Sequence, residues 1–118
     1  MDLTLPSGTP AMSKLIEGAV RGLVVVPDIW GLRGLYSTMV DDLATRTGWS
    51  VVAIEPFPGQ DLGGAADPTG FDDRSAALRA IDDDRLLGDA VAAADLTGCE
   101  QVGLLGFCMG GMYAMKCL

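Results

Sequence analysis

Apolar residues run without interruption through three short stretches of the chain. The stretches are GLVVVP (Gly22–Pro27), SVVAIEP (Ser50–Pro56) and QVGLLGF (Gln101–Phe107). Continuous apolar runs, unlike alternating ones, are typical of strands covered on both faces, as in a parallel sheet with helices on each side. The opening LTLPSGTPAM (Leu3–Met12) is compatible with a short hairpin.

Two of the intervening segments have helical periodicity. In LYSTMVDDLATRTG, Gly48 is placed to end a helix whose apolar stripe would comprise Leu35, Met39, Val40, Leu43 and Ala44. In DDDRLLGDAVAAADLTG, Asp82–Asp84 are placed to cap the start and Gly98 the end, and the stripe would comprise Leu86, Leu87, Ala90, Val91 and Ala94. A metal or acid–base role for the acidic triplet is the weaker interpretation, since no partner is near it in sequence.

The segment from Pro56 to Asp73 is rich in Gly, Pro and Asp, which predicts a long loop above the end of a strand. Loops at that edge often line the ligand crevice of α/β proteins. The order of strands and helices predicts an α/β fold with a doubly wound, mostly parallel sheet, in a single domain that includes residues 1–118.

Composition excludes several classes of function. The chain has 118 residues, a net charge of −8 and only eight Lys and Arg, which are scattered singly, so nucleic acid and anionic membrane surfaces are not expected partners. No apolar run approaches the roughly 20 residues of a membrane span, and no signal peptide is apparent. Three cysteines and no histidine favour free thiols in a cytoplasmic protein, without a metal site or other cofactor.

Cys108 has the surroundings of a nucleophile. It follows an apolar strand and precedes a short helical segment, with Gly106 two positions before it and Gly110 two positions after it. G-x-C-x-G is the cysteine form of the G-x-S-x-G elbow, whose tight turn needs small flanking residues; Gly111 gives further room for the helix. A helix N-terminus also favours the thiolate. The alternative is a buried packing residue, which is the role assigned to Cys99 and Cys117.

These residues also carry a family resemblance. GLLGFCMGG (Gly103–Gly111) resembles the nucleophile segment of the dienelactone hydrolase family, α/β-hydrolases that use cysteine in place of serine. VVVPDIWGLRG (Val24–Gly34) resembles the segment that follows the third strand in that family. VVAIEPFPG (Val51–Gly59) and the opening hairpin are similar to family segments as well, so the likeness extends over nearly the whole chain.

The resemblance implies a hydrolase of small esters or lactones and assigns roles to specific residues. Cys108 would attack the carbonyl, Asp28 would contact the thiol, and the backbone N–H groups of Ile29 and Met109 would form the oxyanion hole. Two positions depart from the family pattern: Asp28 stands where glutamate is most common, and Glu55-Pro56 stands where proline-aspartate is common.

Two further residues are candidates for the substrate pocket. Trp30 could form a wall of the pocket or pack on the helix after the strand, and Arg33 could bind substrate or be an exposed loop charge. Glu55 could point into the loop crevice or end its strand in solvent.

The chain lacks the base that this chemistry requires. In the family, the triad aspartate and histidine follow the elbow, and this chain contains no histidine. The strand Gln101–Gly106 would also have a neighbour on one side only, which leaves an apolar edge. We therefore expect the N-terminal part of a longer hydrolase, inactive by itself, whose missing C-terminal half or another chain pairs with this strand.

Two alternatives remain open at this point. The chain could be a non-catalytic α/β module that binds another chain through its exposed edge strand, an interpretation that the absent histidine favours. It could also belong to the glutamine-amidotransferase-like and DJ-1-like flavodoxin folds with a cysteine elbow, although these do not account for PDIWGLRG (Pro27–Gly34).

Overall fold

The computed structural model describes residues 1–60, 62 and 70–118. Five strands lie in the described part of the chain, and they form one sheet. In chain order they are β1 (Asp2–Thr4), β2 (Pro10–Lys14), β3 (Arg21–Val26), β4 (Ser50–Ile54) and β5 (Gln101–Gly106). Their order across the sheet is β1-β2-β4-β3-β5. The three apolar stretches and the opening hairpin are therefore strands, as the sequence predicts.

Four helices connect or follow these strands in the described residues. They are α1 (Gly34–Thr47), α2 (Gly70–Arg79), α3 (Asp83–Thr97) and α4 (Met109–Lys116). None of the helices that the structure describes is long and apolar enough to cross a membrane. The predicted α/β architecture is confirmed, but α2 is not among the predicted helices, and the last residues of the predicted loop (Gly70–Asp73) belong to it. The loop residues 61 and 63–69 lie outside the described residues.

The sheet combines a parallel and an antiparallel part. β3 lies between β4 and β5 and is parallel to both. The β1–β2 hairpin joins the other side of β4 by antiparallel pairing. The prediction of a parallel sheet therefore holds for the three apolar strands, and the hairpin makes the whole sheet mixed.

Helices cover both faces of the sheet, which explains the uninterrupted apolar stretches. In β3, Val24 and Val26 pack in the core on one face, which includes residues of α3 and α4, whereas Val25 packs in the core against α1 on the other. All five residues of β4 are buried. Since neighbouring strand residues point to opposite faces, a strand covered on both sides is apolar in consecutive positions, as Val51–Ile54 are.

The two predicted helices exist, but their buried faces differ from the predicted stripes. α1 buries Tyr36, Val40 and Ala44, while Leu35 is 55% exposed. α3 buries a face that includes a carboxylate, and Val91, expected on that face, is 62% exposed. The residues that α3 buries are Leu86, Asp89, Ala90 and Ala93.

The predicted helix ends are correct. Gly48 and Gly98 terminate α1 and α3 in the left-handed conformation, with φ of 72° and 67°. The Asp82 side chain accepts the Arg85 N–H at 3.2 Å and so caps the start of α3. Asp82 of the acidic triplet thus has the capping role that the sequence favours.

β5 lies at an edge of the sheet that the described residues leave open. Its ladder with β3 runs from Gln101 to Gly106, and no described strand pairs with its other side. Val102 and Leu104 are only half-buried, and together with Ala90, Val91, Ala94 and Cys117 they line a shallow, largely apolar cavity of about 170 Å³. The edge predicted to be unpaired is unpaired in the described part of the chain.

Candidate active site

Cys108 occupies the sharp turn between β5 and α4. Its φ of 56° and ψ of −117° make it the only non-glycine residue with positive φ among the described residues. A side chain in this region of backbone space is strained, and such strain is concentrated at functional sites. The side chain is exposed, so Cys108 is not the buried packing residue of the alternative interpretation.

Glycine is required on both sides of this turn. A β-carbon on Gly106 would overlap the carbonyl of Gly110, and one on Gly110 would overlap the carbonyl of Val26. Gly111 differs from these two, because a β-carbon there would lie 3.5 Å from the Gly106 oxygen, at ordinary contact distance. The G-x-C-x-G spacing therefore reflects a steric requirement, and the third glycine does not share it.

Backbone hydrogen bonds fix the elbow on the sheet. The Phe107 N–H donates to the Val26 carbonyl at 3.1 Å, and the Gly110 N–H donates to the Phe107 carbonyl at 2.8 Å. The N–H of Met109, the first residue of α4, donates to no described group. The first N–H groups of a helix have no partner within it, so this donor is available to an oxyanion beside Cys108.

The residues that follow β3 form a turn that we call the post-β3 loop (residues 28–33). Four of its first five N–H groups are occupied. Asp28 N–H donates to the Tyr36 hydroxyl at 2.9 Å, and Leu32 N–H donates to Glu55 Oε2 at 2.7 Å. Trp30 N–H donates to Asp28 Oδ1 at 3.1 Å and Gly31 N–H to the Asp28 carbonyl at 3.0 Å.

Within residues 28–32, the N–H of Ile29 alone donates to no described group. The loop lies beside the elbow, because β3 and β5 are paired as far as Val26 and Gly106. This unoccupied donor is at the position to which the family resemblance assigns an oxyanion-hole role. Its role, like that of Met109, stays a prediction.

Asp28 and Arg33 form a two-point ion pair across the post-β3 loop. Arg33 Nη1 is 2.8 Å from Asp28 Oδ1, and Nη2 is 3.1 Å from Oδ2. Burial alone would raise the pKa of Asp28, but the hydrogen bonds and charge of Arg33 hold that pKa below its ordinary value. Both Asp28 oxygens are held by Arg33, and no hydrogen bond joins the Cys108 thiol to Asp28 among the described residues, so the thiol-contacting role of Asp28 stays a prediction.

Arg33 and Trp30 are both packed within the fold. Arg33 is partly buried, held by Asp28 and lying 5.2 Å above the Tyr36 ring, so it is not an exposed loop charge. The Trp30 ring contacts α2, with Phe71 at 6.1 Å between ring centroids and the Arg74 guanidinium at 5.6 Å from the Trp30 centroid. A pocket role for either residue stays a prediction.

Arg74 connects α2 with the post-β3 loop. The residue is 9% exposed, and its Nη1 donates to the Ile29 carbonyl at 3.1 Å. Its guanidinium lies between aromatic rings, 5.6 Å from the centroid of Trp30 and 5.9 Å from that of Phe57. The arginine therefore holds the residue whose N–H is the candidate oxyanion donor.

Glu55 points toward the post-β3 loop and not into solvent. In addition to Leu32 N–H, its carboxylate accepts the N–H of Phe57 at 3.3 Å. Burial raises the pKa of Glu55, although two backbone hydrogen bonds and the charges of Arg74 and Arg85 oppose the shift. The interpretation that Glu55 ends its strand in solvent is therefore wrong, and a role in the crevice of the loop from Pro56 to Asp73 stays a prediction.

Sequence reasoning missed Tyr36 and Arg74 as parts of this site. Tyr36 heads a buried i, i+4, i+8 series with Val40 and Ala44, so the spacing in α1 contained the signal. Arg74 lies in a helix with only a short apolar segment, and nothing in the local sequence distinguishes it from a surface arginine.

Cavities and metal-ligand clusters do not mark another catalytic centre in the described residues. A cavity of about 350 Å³ lies between the β1–β2 hairpin and Glu55 and is not lined by Cys108. No group of three or more His, Cys, Asp or Glu side chains in the described part of the chain is arranged to hold a metal ion. The elbow and the post-β3 loop therefore remain the candidate site within the described residues.

Comparisons with known proteins identify a family and a fold. The model of the dienelactone hydrolase family matches residues 10–118. A structure from Klebsiella pneumoniae described as a candidate dienelactone hydrolase aligns with a TM-score of 0.72 at 22% identity. A dienelactone hydrolase-like promiscuous phosphotriesterase from metagenomic libraries aligns with a TM-score of 0.70 at 21% identity. No match to a functionally curated protein was found.

The chain spans about half the length of these solved structures. The alignments include 94% and 99% of this chain, but 50% and 52% of the Klebsiella and metagenomic chains respectively. At these identities, the structural likeness concerns the fold.

Proposed function

The chain belongs to the dienelactone hydrolase family, and we propose that it carries the nucleophile half of a hydrolase that acts on small lactones or esters. Residues 1–118 then form the N-terminal part of one α/β-hydrolase domain. The observation that carries the proposal is the exposed, strained Cys108 at a glycine-flanked elbow. The unoccupied N–H groups of Ile29 and Met109 support it.

In the proposed reaction, the Cys108 thiolate attacks the carbonyl carbon of the substrate. The new C–S bond pushes the π electrons onto oxygen, and the N–H groups of Ile29 and Met109 stabilise the resulting oxyanion. Collapse of this intermediate breaks the C–O bond, and the released alkoxide takes the proton that the base removed from the thiol. Water then attacks the thioester, which releases the carboxylic acid and restores the thiol.

The proton acceptor is proposed to come from outside these 118 residues. Histidine is absent from the chain, and the described residues place no other base in contact with the Cys108 thiol. Asp28 is proposed to contact the thiol in the complete site, which requires that its ion pair with Arg33 open. Arg33, once released, and Trp30 are the candidates for contact with substrate.

The experiment compares two reactions of the same thiol. p-Nitrophenyl acetate acylates a thiol through an oxyanion, whereas iodoacetamide alkylates it without one. The rate of each reaction is measured at Cys108, Cys99 and Cys117 of the same molecule by peptide mass spectrometry. We expect the ratio of acylation to alkylation to be at least roughly tenfold higher at Cys108, since one oxyanion donor is worth about 10²–10³ in rate.

Three outcomes would count against parts of this proposal. An equal ratio at all three cysteines would refute the oxyanion hole. Multiple turnovers of p-nitrophenyl acetate, well above those of Cys108→Ala, would show that the chain needs no outside base. Turnover above the uncatalysed background that persisted unchanged in Cys108→Ala would refute the cysteine nucleophile.

The open edge of β5 favours a second candidate, an interaction module. Unpaired strand edges with apolar surroundings promote association with another chain. Val91→Lys would place a charge beside this edge, and Leu35→Lys would place the same charge on an exposed position of α1. If the edge binds other copies, sedimentation velocity will detect self-association that Val91→Lys weakens and Leu35→Lys does not. A monomer at every concentration would remove support for this candidate.

A further inference from the structure

The described residues hold the post-β3 loop from three directions. The Tyr36 hydroxyl accepts the Asp28 N–H, Arg74 donates to the Ile29 carbonyl, and Glu55 accepts the Leu32 N–H. The first two bonds flank the peptide between Asp28 and Ile29. The third bond is the shortest of the three, at 2.7 Å, and it joins the loop to the end of β4.

Gly31 shows how closely Glu55 approaches the loop. A β-carbon at Gly31 would lie 2.8 Å from Glu55 Oε1 and 3.3 Å from Arg74 Nη1, and the residue has a φ of 75°. The loop backbone at Gly31 therefore packs against the Glu55 carboxylate with no room for a side chain between them. A carboxylate with one oxygen on Leu32 N–H and the other on Phe57 N–H has little freedom to move.

The direction of the Ile29 N–H depends on these anchors. The hydrogen bonds within the loop, from Trp30 to the Asp28 side chain and from Gly31 to the Asp28 carbonyl, shape the turn but do not attach it to the sheet. Glu55 supplies that attachment at the far end of the turn. Since a displacement of about 1 Å at a catalytic group can cost roughly 10²-fold in rate, this attachment matters for an oxyanion donor.

We propose that Glu55 is a positioning residue of the oxyanion hole. By accepting the Leu32 N–H, it holds the post-β3 loop against β4 and fixes the direction of the Ile29 N–H. The inference rests on the proposed function, because it gives Glu55 a role only if Ile29 stabilises an oxyanion. Glu55 itself does not touch the substrate.

Two conservative variants separate a hydrogen-bond role from a charge role. Glu55→Gln removes the charge but keeps an oxygen at the same reach, so it can still accept the Leu32 N–H. Glu55→Asp keeps the charge but is one methylene shorter, so it loses that bond. We expect acylation of Cys108 by p-nitrophenyl acetate to stay within about threefold of wild type in Glu55→Gln and to fall roughly 10- to 100-fold in Glu55→Asp.

Alkylation by iodoacetamide distinguishes this role from a merely structural one. A general structural defect would change both reactions at Cys108, whereas a misplaced oxyanion donor would lower acylation alone. Alkylation forms no oxyanion, so we expect its rate at Cys108 to be unchanged in both variants. Glu100→Gln and Glu100→Asp, at an exposed glutamate, serve as matched controls and should change neither reaction. If Glu55→Asp does not fold, Gly31→Ala tests the same contact from the other side and should show the same selective loss.

Each outcome decides the inference. Unchanged acylation in Glu55→Asp, an equal loss of both reactions, or a loss in Glu55→Gln with retention in Glu55→Asp would overturn it. In each of these cases the raised ratio of wild-type Cys108 over Cys99 and Cys117 would leave the proposed function standing. If wild-type Cys108 has no raised ratio, the proposed function and the inference both fall.

Discussion

Gly110 packs directly against the carbonyl oxygen of Val26, so closely that a β-carbon at position 110 would overlap it. This contact joins the first turn of α4 to the end of β3. It brings the elbow and the post-β3 loop to the same edge of the sheet. The proposed site therefore depends on a residue that has no side chain.

The first prediction concerns the glycines of the elbow. Gly110→Ala and Gly106→Ala each place a methyl group into backbone atoms, which cannot move as a flexible side chain would. We expect each to lower the free energy of unfolding by about 3 kcal/mol or more, measured by urea denaturation. Gly111→Ala is the control, because its methyl group would be at ordinary contact distance. A Gly111→Ala variant as unstable as the other two would contradict this assignment.

The second prediction concerns the strain stored at Cys108. A β-carbon disfavours the observed φ of 56° and ψ of −117°, and glycine removes that cost. We expect Cys108→Gly to be more stable than Cys108→Ala by about 1 kcal/mol, after the entropy that glycine loses on folding. Denaturation of the two variants side by side measures the difference. If Cys108→Ala were the more stable variant, the turn would not be strained.

The third prediction concerns pH and the ion pair of Asp28 with Arg33. The pKa of Asp28 in the folded chain is below its ordinary value. Between these two pKa values the unfolded chain binds more protons than the folded chain, so stability rises with pH. The contribution is complete above about pH 4 and is lost as pH falls through the folded pKa. We expect Asp28→Asn to be less stable than wild type by about 1 kcal/mol near neutral pH.

The difference in unfolding free energy between wild type and Asp28→Asn, measured from roughly pH 2 to pH 6, should shrink toward the acid end. Arg33→Ala removes the cause of the shift, so the same comparison made in an Arg33→Ala background should depend less on pH. A difference that grows on acidification would contradict the expected direction of the pKa shift.

The fourth prediction concerns a buried carboxylate that is not part of the candidate active site. Asp89 in α3 accepts hydrogen bonds from Ser7 at 2.5 Å, Thr9 at 2.6 Å and Arg85 at 3.2 Å, and so fastens the N-terminal hairpin to the helix. Asp89→Ala leaves these donors without their acceptor, and we expect a loss of about 3 kcal/mol in unfolding free energy. Asp95→Ala, at an exposed position of the same helix, should change it by less than about 0.5 kcal/mol.

A loss of comparable size in both Asp89→Ala and Asp95→Ala would show that the buried network is not responsible. The smaller change Thr9→Val gives an independent check, because it removes one donor and keeps the carboxylate. We expect its cost to be between those of the two aspartate variants, about 1–2 kcal/mol.

The sequence by itself determined the strands, the elbow and the helix ends. Unbroken apolar residues over Leu23–Val26 in β3 and Val51–Ile54 in β4 indicate coverage on both faces. Gly48 and Gly98 indicate a backbone conformation that other residues rarely adopt. Gly106 and Gly110, on either side of Cys108, indicate that the backbone of the elbow packs closely against itself and against β3. Each of these signals comes from a local requirement that few residue types satisfy, so it can be read from a few neighbouring positions.

The tertiary structure alone decided which charged residues meet. Local sequence could not show that Asp28 pairs with Arg33, that Glu55 holds Leu32, or that Arg74 of an unpredicted helix reaches Ile29. These contacts join residues up to 45 positions apart, and the same side chains would be equally acceptable in solvent. Burial decides between the two environments, and burial is a property of the assembled layers. The orientation of the candidate oxyanion hole therefore follows from packing, whereas the place of its nucleophile follows from the sequence.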